Sequence, residues 1–206
     1  MEGEGRVIKS TGSSYLVNSP EAGLTECVIS GKYRLEGLRS TNPVVVGDQV
    51  RFSVGEGEKL GRINDVLPRK NYIIRKATKL SKSHQIIAAN IDQLILMATV
   101  IKPATHTEFI DRYLVTSEAY NIHTILLFNK IDLYGDPEKR KLSEWQRIYE
   151  AIGYSCIECS LETKVNLDQI KSALKEKVTL LAGNSGVGKS CLLYSSPSPR
   201  DHSRYL

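Results

Sequence analysis

The stretch VTLLAGNSGVGKS, residues 178–190, joins a short apolar run to a glycine-rich segment. The segment GNSGVGKS (183–190) fits the pattern G-x-x-x-x-G-K-[ST], in which backbone N–H groups surround phosphate oxygens. Glycine permits both the tight turn and the close approach of the backbone, and Gly183, Gly186 and Gly188 supply it here. The sequence therefore predicts a phosphate-binding loop between a buried strand and the N-terminus of a helix.

The residue types of this loop suggest individual roles. Lys189 would reach the β- and γ-phosphate oxygens of a nucleotide, and the Ser190 hydroxyl would bind Mg²⁺. We therefore predict Lys189 and Ser190 as catalytic residues and Ser190 as the metal ligand. The nucleotide-binding residues predicted in the loop are Gly183, Asn184, Ser185, Gly186, Val187, Gly188, Lys189, Ser190 and Cys191.

A second motif, Asn129-Lys130-Ile131-Asp132, follows the apolar run HTILLF. A carboxylate at Asp132 can accept two hydrogen bonds from guanine, at N1–H and at the exocyclic amine. Adenine lacks that amine and carries an acceptor at N1, so it would leave the charge unpaired. Alone, N-K-x-D also fits a charged strand-to-loop turn, but beside a phosphate loop it predicts guanine recognition by residues 129–132.

A weaker third signal is Cys159-Ser160-Leu161, which follows the next predicted strand. Guanine-binding proteins often present a Ser-Ala pair to the guanine O6 at this point. Ser160 fits that pattern and is a predicted base contact, whereas Leu161 replaces the small residue.

The segments around these motifs alternate between apolar runs and amphipathic stretches. Strands are predicted at 91–100, 123–130, 154–160 and 178–183, and helices at 107–121, 136–153 and 166–177. Alternation of this kind indicates an α/β domain with a parallel sheet and helices on its faces.

The first 66 residues have a different pattern. Short runs rich in β-branched residues are separated by Gly, Asn and Pro, which predicts an all-β domain. Five or so strands in that length suit a small closed barrel of the OB type or an SH3-like relative. The predicted strands are GRVIKS (5–10), SYLVN (14–18), TECVISG (25–31), KYRLEG (32–37), PVVVGDQVRFSV (43–54) and GRINDVL (61–67).

The charge of the chain is concentrated in one place. The formal net charge is +5, and residues 67–91 carry six Lys or Arg residues and no Asp or Glu. Such a run is either a solvated linker or a contact for the phosphate backbone of RNA or DNA. No apolar run is long enough to cross a bilayer, and the start MEGEGRVIKS has no secretory signal pattern, so we expect a cytoplasmic protein with no membrane partner.

Cys156 and Cys159 form a C-x-x-C, which raises a zinc or redox interpretation. Zinc requires four ligands, and no second pair lies at a suitable spacing. The run YSCIECS is better explained as a buried strand whose thiols act as small apolar groups.

The order of the motifs is informative, because the guanine motif precedes the phosphate loop, whereas ordinary GTPases have the reverse order. Together with an N-terminal barrel, this order resembles the ribosome small-subunit-dependent GTPase A family, circularly permuted GTPases that act in maturation of the small ribosomal subunit. The resemblance extends from about residue 5 to residue 193. It is carried by VGDQVRF, LPRKNYIIRK, AANIDQLILM, FIDRYLV, LFNKIDL and LLAGNSGVGKS.

The resemblance implies an OB-like barrel at 1–66, a basic linker at 67–90 and a circularly permuted, incomplete P-loop GTPase domain at 91–193. It implies GTP or GDP with Mg²⁺ as ligands, and the small (30S) ribosomal subunit and its rRNA as partners of a monomeric protein. Family members continue through two switch segments and a zinc-binding domain, so zinc is expected only there. We expect residues 194–206, with Pro197 and Pro199, to be a non-native tail, and expect little GTP turnover from these 206 residues.

Two other functions remain open at this point. One is a P-loop ATPase or kinase in which N-K-I-D is incidental. The other is a non-catalytic RNA-binding barrel that carries a remnant of a GTPase domain.

Overall fold

The computed structural model describes residues 1–31, 43–75 and 85–195. It divides into two compact units, Met1–Asn90 and Ile91–Leu206. Three predicted features lie wholly or partly outside the described residues: the strand at 32–37, the middle of the basic stretch and the tail beyond residue 195.

The first unit contains a closed five-stranded barrel. Its strands are β1 (Glu2–Ser10), β2 (Tyr15–Ser19), β3 (Gly23–Ile29), β4 (Gln49–Val54) and β5 (Gly61–Val66). Around the barrel they follow the order β1-β2-β3-β5-β4, and β4 returns to pair with β1. The β3–β5 pair is parallel and the other pairs are antiparallel. This is OB-type topology, so the predicted barrel is confirmed.

Alternation of side chains along the strands fills the barrel. In β2, Tyr15 and Val17 point inward and are buried. Because successive side chains of a strand face opposite sides, each strand contributes every second residue to the core. The core residues are Val7, Tyr15, Val17, Cys27, Val44, Val50, Phe52 and Ile63.

A buried ion pair fixes the segment that enters β4. The Asp48 side chain is completely buried and accepts hydrogen bonds from Arg69 Nε (2.7 Å), Arg69 Nη2 (2.8 Å) and the Val45 N–H (2.8 Å). Arg69 also donates to the Pro43 carbonyl at 3.1 Å. Arg69 therefore has a structural role within this unit, although it belongs to the basic stretch.

Part of the basic stretch 67–90 is regular structure. Strands β6 (Tyr72–Arg75) and β7 (Gln85–Ala89) form an antiparallel pair. The Ala89 N–H donates to the Val46 carbonyl at 3.0 Å, and the Asn90 amide donates to the Gly47 carbonyl at 3.0 Å. Gly47 has φ of +94°, and a Cβ there would overlap the Ala89 carbonyl, so glycine is required for this contact.

The second unit is a four-stranded parallel sheet with helices between the strands. The strands are β8 (Gln93–Ala98), β9 (His123–Phe128), β10 (Ser155–Glu158) and β11 (Thr179–Gly183). The helices are α1 (Thr107–Ala119), α2 (Asp136–Ala151), α3 (Leu167–Leu174) and α4 (Lys189–Ser195), and a 3-10 turn spans Ile131–Leu133. The strand order is β10-β9-β8-β11, and every pair is parallel, which confirms the predicted α/β architecture.

Both faces of this sheet are covered. All six residues of β8 are buried, as its continuous apolar run predicts. On one face, Ile95 and Met97 pack in a cluster with Ile170 of α3 and Leu192 of α4. On the other face, Trp145 of α2 packs against Phe128, with ring centroids 6.1 Å apart. No helix in the described part of the chain is long and apolar enough to cross a membrane.

The buried ion pair of the first unit predicts a large effect of a single substitution. Asp48→Ala leaves the Arg69 guanidinium, only 18% exposed, without its carboxylate, and we expect a loss of about 3–5 kcal/mol in the free energy of unfolding. Arg51→Ala is the control, because Arg51 and Glu4 form an exposed pair that solvent screens, so its loss should change the stability little. Urea unfolding followed by circular dichroism measures both, and equal losses would contradict this role of the Asp48 pair.

Candidate nucleotide-binding site

The predicted functional residues lie in loops at one edge of the parallel sheet. Because parallel strands share a direction, the loops that follow β8, β9, β10 and β11 all leave from the carboxyl edge. The chain proceeds from β8 to β9 and β10 on one side and then returns to place β11 on the other side of β8. Ligands of open α/β sheets bind at such a reversal of strand order.

The glycine-rich loop has the backbone conformation that its sequence predicts. Gly183, Gly186 and Gly188 have φ values of +147°, +82° and +107°, which L-residues with a side chain rarely adopt. A Cβ on Gly183 would lie 2.5 Å from the Met97 carbonyl oxygen. Between these glycines, the Val187 side chain is fully buried and anchors the loop in the core under the sheet.

Lys189 begins α4 and its side chain folds back over the loop. The ammonium donates to the carbonyls of Gly183 at 2.8 Å and Asn184 at 2.7 Å. Ser185, Gly186, Ser190 and Cys191 are exposed, and Asn184 is partly exposed. The ammonium and the exposed part of the loop are thus available at one surface to an anionic ligand.

Asn129 joins this loop to the N-K-I-D turn. Its side chain is 3% exposed, and its amide nitrogen donates to the Val187 carbonyl at 2.8 Å. Its amide oxygen accepts from the Leu161 N–H at 3.1 Å and from the Cys159 thiol at 3.4 Å. Asn129 belongs to the loop that follows β9, and its side chain therefore links this loop to the loops that follow β10 and β11.

The rest of the turn is held mainly through its backbone. Lys130 adopts the left-handed conformation, with φ of +67°, and its ammonium donates to the Lys102 carbonyl. The Ile131 N–H donates to the Cys159 carbonyl at 3.2 Å. Asp132 is exposed in the 3-10 turn, and none of the described residues is hydrogen-bonded to its carboxylate. That carboxylate is available to a ligand.

In the loop after β10, the residue that the sequence predicts as a base contact, Ser160, is not exposed at the surface. Ser160 is fully buried, and its hydroxyl accepts from the Thr163 N–H at 3.1 Å within the same loop. This geometry favours a role for Ser160 in shaping the loop, and a contact with a base remains a prediction.

Of the two cysteines of the C-x-x-C, Cys156 lies within β10 and Cys159 directly follows it, and they are not bonded to each other. Cys159 is fully buried and Cys156 is half-buried. Burial raises the pKa of the Cys159 thiol to about 12, so it is protonated at neutral pH and can donate to Asn129. Among residues 1–31, 43–75 and 85–195, no three His, Cys, Asp or Glu side chains are grouped to hold a metal ion.

Tyr134 is a component of the site that none of the sequence motifs includes. Its ring is buried, and its hydroxyl donates to the Asn129 carbonyl at 2.7 Å and accepts from the Val100 N–H at 2.8 Å. The available signal was an aromatic residue two positions after Asp132. An aromatic residue at that position does not by itself indicate which backbone groups its hydroxyl contacts.

An OB-type barrel and a parallel sheet with a glycine-rich strand-to-helix loop define a P-loop α/β protein that carries a β-barrel. A profile of the RsgA N-terminal domain matches residues 4–63, and a profile of the RsgA GTPase matches residues 66–200. The chain belongs to the RsgA GTPase family, as its motifs predict.

Individual relatives agree with this assignment. The small ribosomal subunit biogenesis GTPase RsgA of Christiangramia forsetii is 46% identical over 192 residues, and that of Porphyromonas gingivalis strain W83 is 47% identical over 191 residues. Each alignment covers 92% of this chain and 61% of the relative. The chain thus spans about three fifths of the length of these curated relatives.

Solved structures show the same fold. YjeQ from Thermotoga maritima matches with a TM-score of 0.77 and 36% identity, over 94% of this chain and 64% of that one. YloQ, described as a circularly permuted GTPase, matches with a TM-score of 0.75 and 29% identity, over 98% and 66%. The predicted fold, an OB-type barrel followed by a circularly permuted P-loop domain, is confirmed.

Two glycines of the loop should differ in their tolerance of a methyl group. Gly186→Ala introduces backbone strain of roughly 1–3 kcal/mol, but its nearest neighbour, Pro103 Cδ, would be in ordinary contact at 3.6 Å. Gly188→Ala adds a clash with the buried Asn129 amide, so we expect it to destabilise the chain by about 2 kcal/mol more. Urea unfolding curves of the two variants give this difference, and equal midpoints would contradict the close packing of Asn129 on the loop.

Proposed function

We propose that the chain binds guanine nucleotides at the carboxyl edge of the parallel sheet. Residues 183–190 would hold the phosphates and Asp132 would recognise the base. The observation that supports this most directly is the Asn129 amide, which hydrogen-bonds the Val187 carbonyl of the phosphate loop from within the N-K-I-D turn. Strands β9 and β11 both pair with β8, so the two motifs leave the sheet roughly 10 Å apart, within reach of one nucleotide.

The loop fits the polyphosphate part of such a ligand. Its glycine-rich backbone would supply a nest of N–H groups, and the Lys189 ammonium, which donates to two loop carbonyls in this structure, would donate to phosphate oxygens. The Ser190 hydroxyl is exposed and would serve as one ligand of Mg²⁺. Since Mg²⁺ prefers phosphate oxygens, carboxylates and water, the other ligands would come from the nucleotide and from water.

We further propose that this site serves the hydrolysis of GTP, with little turnover from these 206 residues alone. Phosphoryl transfer depends mainly on positioning and on neutralising charge. When bound, Mg²⁺ supplies charge neutralisation at the phosphates. Lys189 would stabilise negative charge on the transferred group, and Asn129 would keep the phosphate loop and the base-binding turn in a fixed relation. A water molecule would act as the nucleophile.

The cellular role that we propose is maturation of the small ribosomal subunit. It is supported by membership of the RsgA GTPase family and by relatives named for small ribosomal subunit biogenesis. We propose that the protein acts as a cytoplasmic monomer on the small subunit, with rRNA contacts through the barrel and the basic stretch.

Base recognition is tested by exchanging the acceptor of Asp132 for a donor. Asp132→Asn should bind XDP better than GDP and reverse the preference of the wild type, because xanthine carries a carbonyl where guanine carries an amine. Affinities for GDP, XDP and ADP are measured by titration calorimetry, and Asp136→Asn, an exposed Asp of α2, is the matched control. Equal binding of GDP and ADP by the wild type would favour an ATPase or kinase instead.

The RNA contact is tested by the salt dependence of binding. Replacing Lys70, Arg75 and Lys76 by Gln should lower the slope of log K against log salt by about 2–3 for a small-subunit RNA fragment, because each lost phosphate contact removes about 0.7–0.9. Arg69 is left intact, because it is paired with the buried Asp48.

The control replaces Lys139, Lys171 and Lys175, which are exposed lysines of the second unit, by Gln. It removes the same charge from the chain and should leave the slope nearly unchanged. An equal fall in both variants would mean that net charge alone determines the binding. An unchanged slope in the first variant would exclude the basic stretch as the contact.

A further inference from the structure

The carboxylate of Asp132 depends on the backbone of its turn for its position. It is exposed, and within the described part of the chain no hydrogen bond holds it. The two following bonds of the turn, Leu133 N–H to Lys130 O at 3.0 Å and Tyr134 N–H to Ile131 O at 3.1 Å, are local. The turn is held from outside by the Ile131 N–H bond to the Cys159 carbonyl and by the contact that fixes the peptide between Asn129 and Lys130, so both help to set the direction of this carboxylate.

The Tyr134 hydroxyl is the group that contacts this peptide. It donates to the Asn129 carbonyl at 2.7 Å and accepts from the Val100 N–H at 2.8 Å, in the loop that follows β8. The ring is 6% exposed, so neither backbone group is readily hydrated when the hydroxyl is removed. The turn and the neighbouring loop are thus connected through one phenol oxygen.

The hydroxyl makes both bonds only when it is protonated. Burial raises the pKa of Tyr134 to about 12, so the phenol is neutral throughout the physiological range. The same loop after β8 also accepts the Lys130 ammonium at the Lys102 carbonyl. Both ends of the turn are therefore attached to one neighbouring loop.

We propose that Tyr134 is a positioning residue for base recognition, which holds the turn so that Asp132 can accept both hydrogen bonds of guanine. This inference rests on the proposed binding of guanine nucleotides. Tyr134 would act on the turn without contacting the base, and its hydroxyl bonds go to Asn129 and Val100, not directly to the phosphate loop. Loss of the hydroxyl should therefore reduce selectivity between bases and leave phosphate binding intact.

The test compares Tyr134→Phe with wild type in the affinities of the full chain for GDP, IDP and ADP. Hypoxanthine of IDP keeps N1–H and lacks the exocyclic amine. We expect GDP affinity to fall about tenfold, ADP affinity to stay within about twofold, and the GDP-to-IDP ratio to decrease. A purely structural role would instead weaken GDP and ADP binding equally.

Tyr149→Phe is the matched control. Tyr149 is also a buried tyrosine of the second unit, and its hydroxyl donates to Asp111 at 2.8 Å, between α1 and α2 and away from the N-K-I-D turn. This variant should keep the wild-type ratio of GDP to ADP affinity even if its stability falls. Loss of selectivity in both variants, or in neither, would overturn the role proposed for Tyr134.

A second measurement requires no variant. If the Tyr134 bonds favour guanine binding, then guanine binding must stabilise those bonds to the same degree. Hydrogen exchange of the Val100 amide should therefore be slower in the wild type saturated with GDP than in the wild type saturated with ADP. Equal protection would overturn the inference. Wild-type protein that binds GDP and ADP with equal affinity would instead refute the proposed function itself.

Discussion

The buried amide of Asn129 is the contact on which the geometry of the candidate site depends. It donates to the phosphate loop at Val187 and accepts from the loop after β10 at Leu161. A buried amide that loses its partners is costly, so each of these loops is stabilised in the position that satisfies it. The requirement for glycine at position 188 follows from the same contact, because that backbone lies directly against the amide.

The parallel sheet explains why the site is compatible with a changed order of its motifs. Ligand contacts are made by loops at the carboxyl ends of strands, and the position of a strand in the sheet is set by its pairing partners. β11 is the last strand of the sheet in the chain, yet it lies beside β8, the first one. The N-K-I-D turn and the phosphate loop therefore meet at one edge although the turn comes earlier in the chain.

Much of this architecture could be predicted from local patterns. The buried strands and the glycine loop are recognisable because burial on both faces and positive φ angles restrict the residue types that are allowed. The β6–β7 pair was not predicted. The basic residues around its two short apolar runs made the whole stretch resemble a solvated linker. The pairing of Arg69 with Asp48 is equally absent from any local pattern, because it joins two residues that are distant in the chain.

The finer contacts of the site could not be predicted for a similar reason. The Tyr134 hydroxyl and the Leu161 N–H act on the backbone or side chain of Asn129 through the tertiary fold. A sequence pattern records which residue types occur, and many residue types can supply a backbone N–H. Ser160 shows the converse. It fits the sequence pattern of a base contact, but its hydroxyl accepts a hydrogen bond from Thr163 within its own loop.

The pairing of β11 with β8 has a consequence for synthesis of the chain on the ribosome. β8, β9 and β10 are translated before β11, and one edge of β8 stays without its partner until residues 179–183 have emerged. Such long-range pairing is slow to form, and an apolar strand with an open edge is prone to misassociation. In the nascent second unit, one edge of the most buried strand therefore stays unpaired until the strand that leads into the phosphate loop pairs with it.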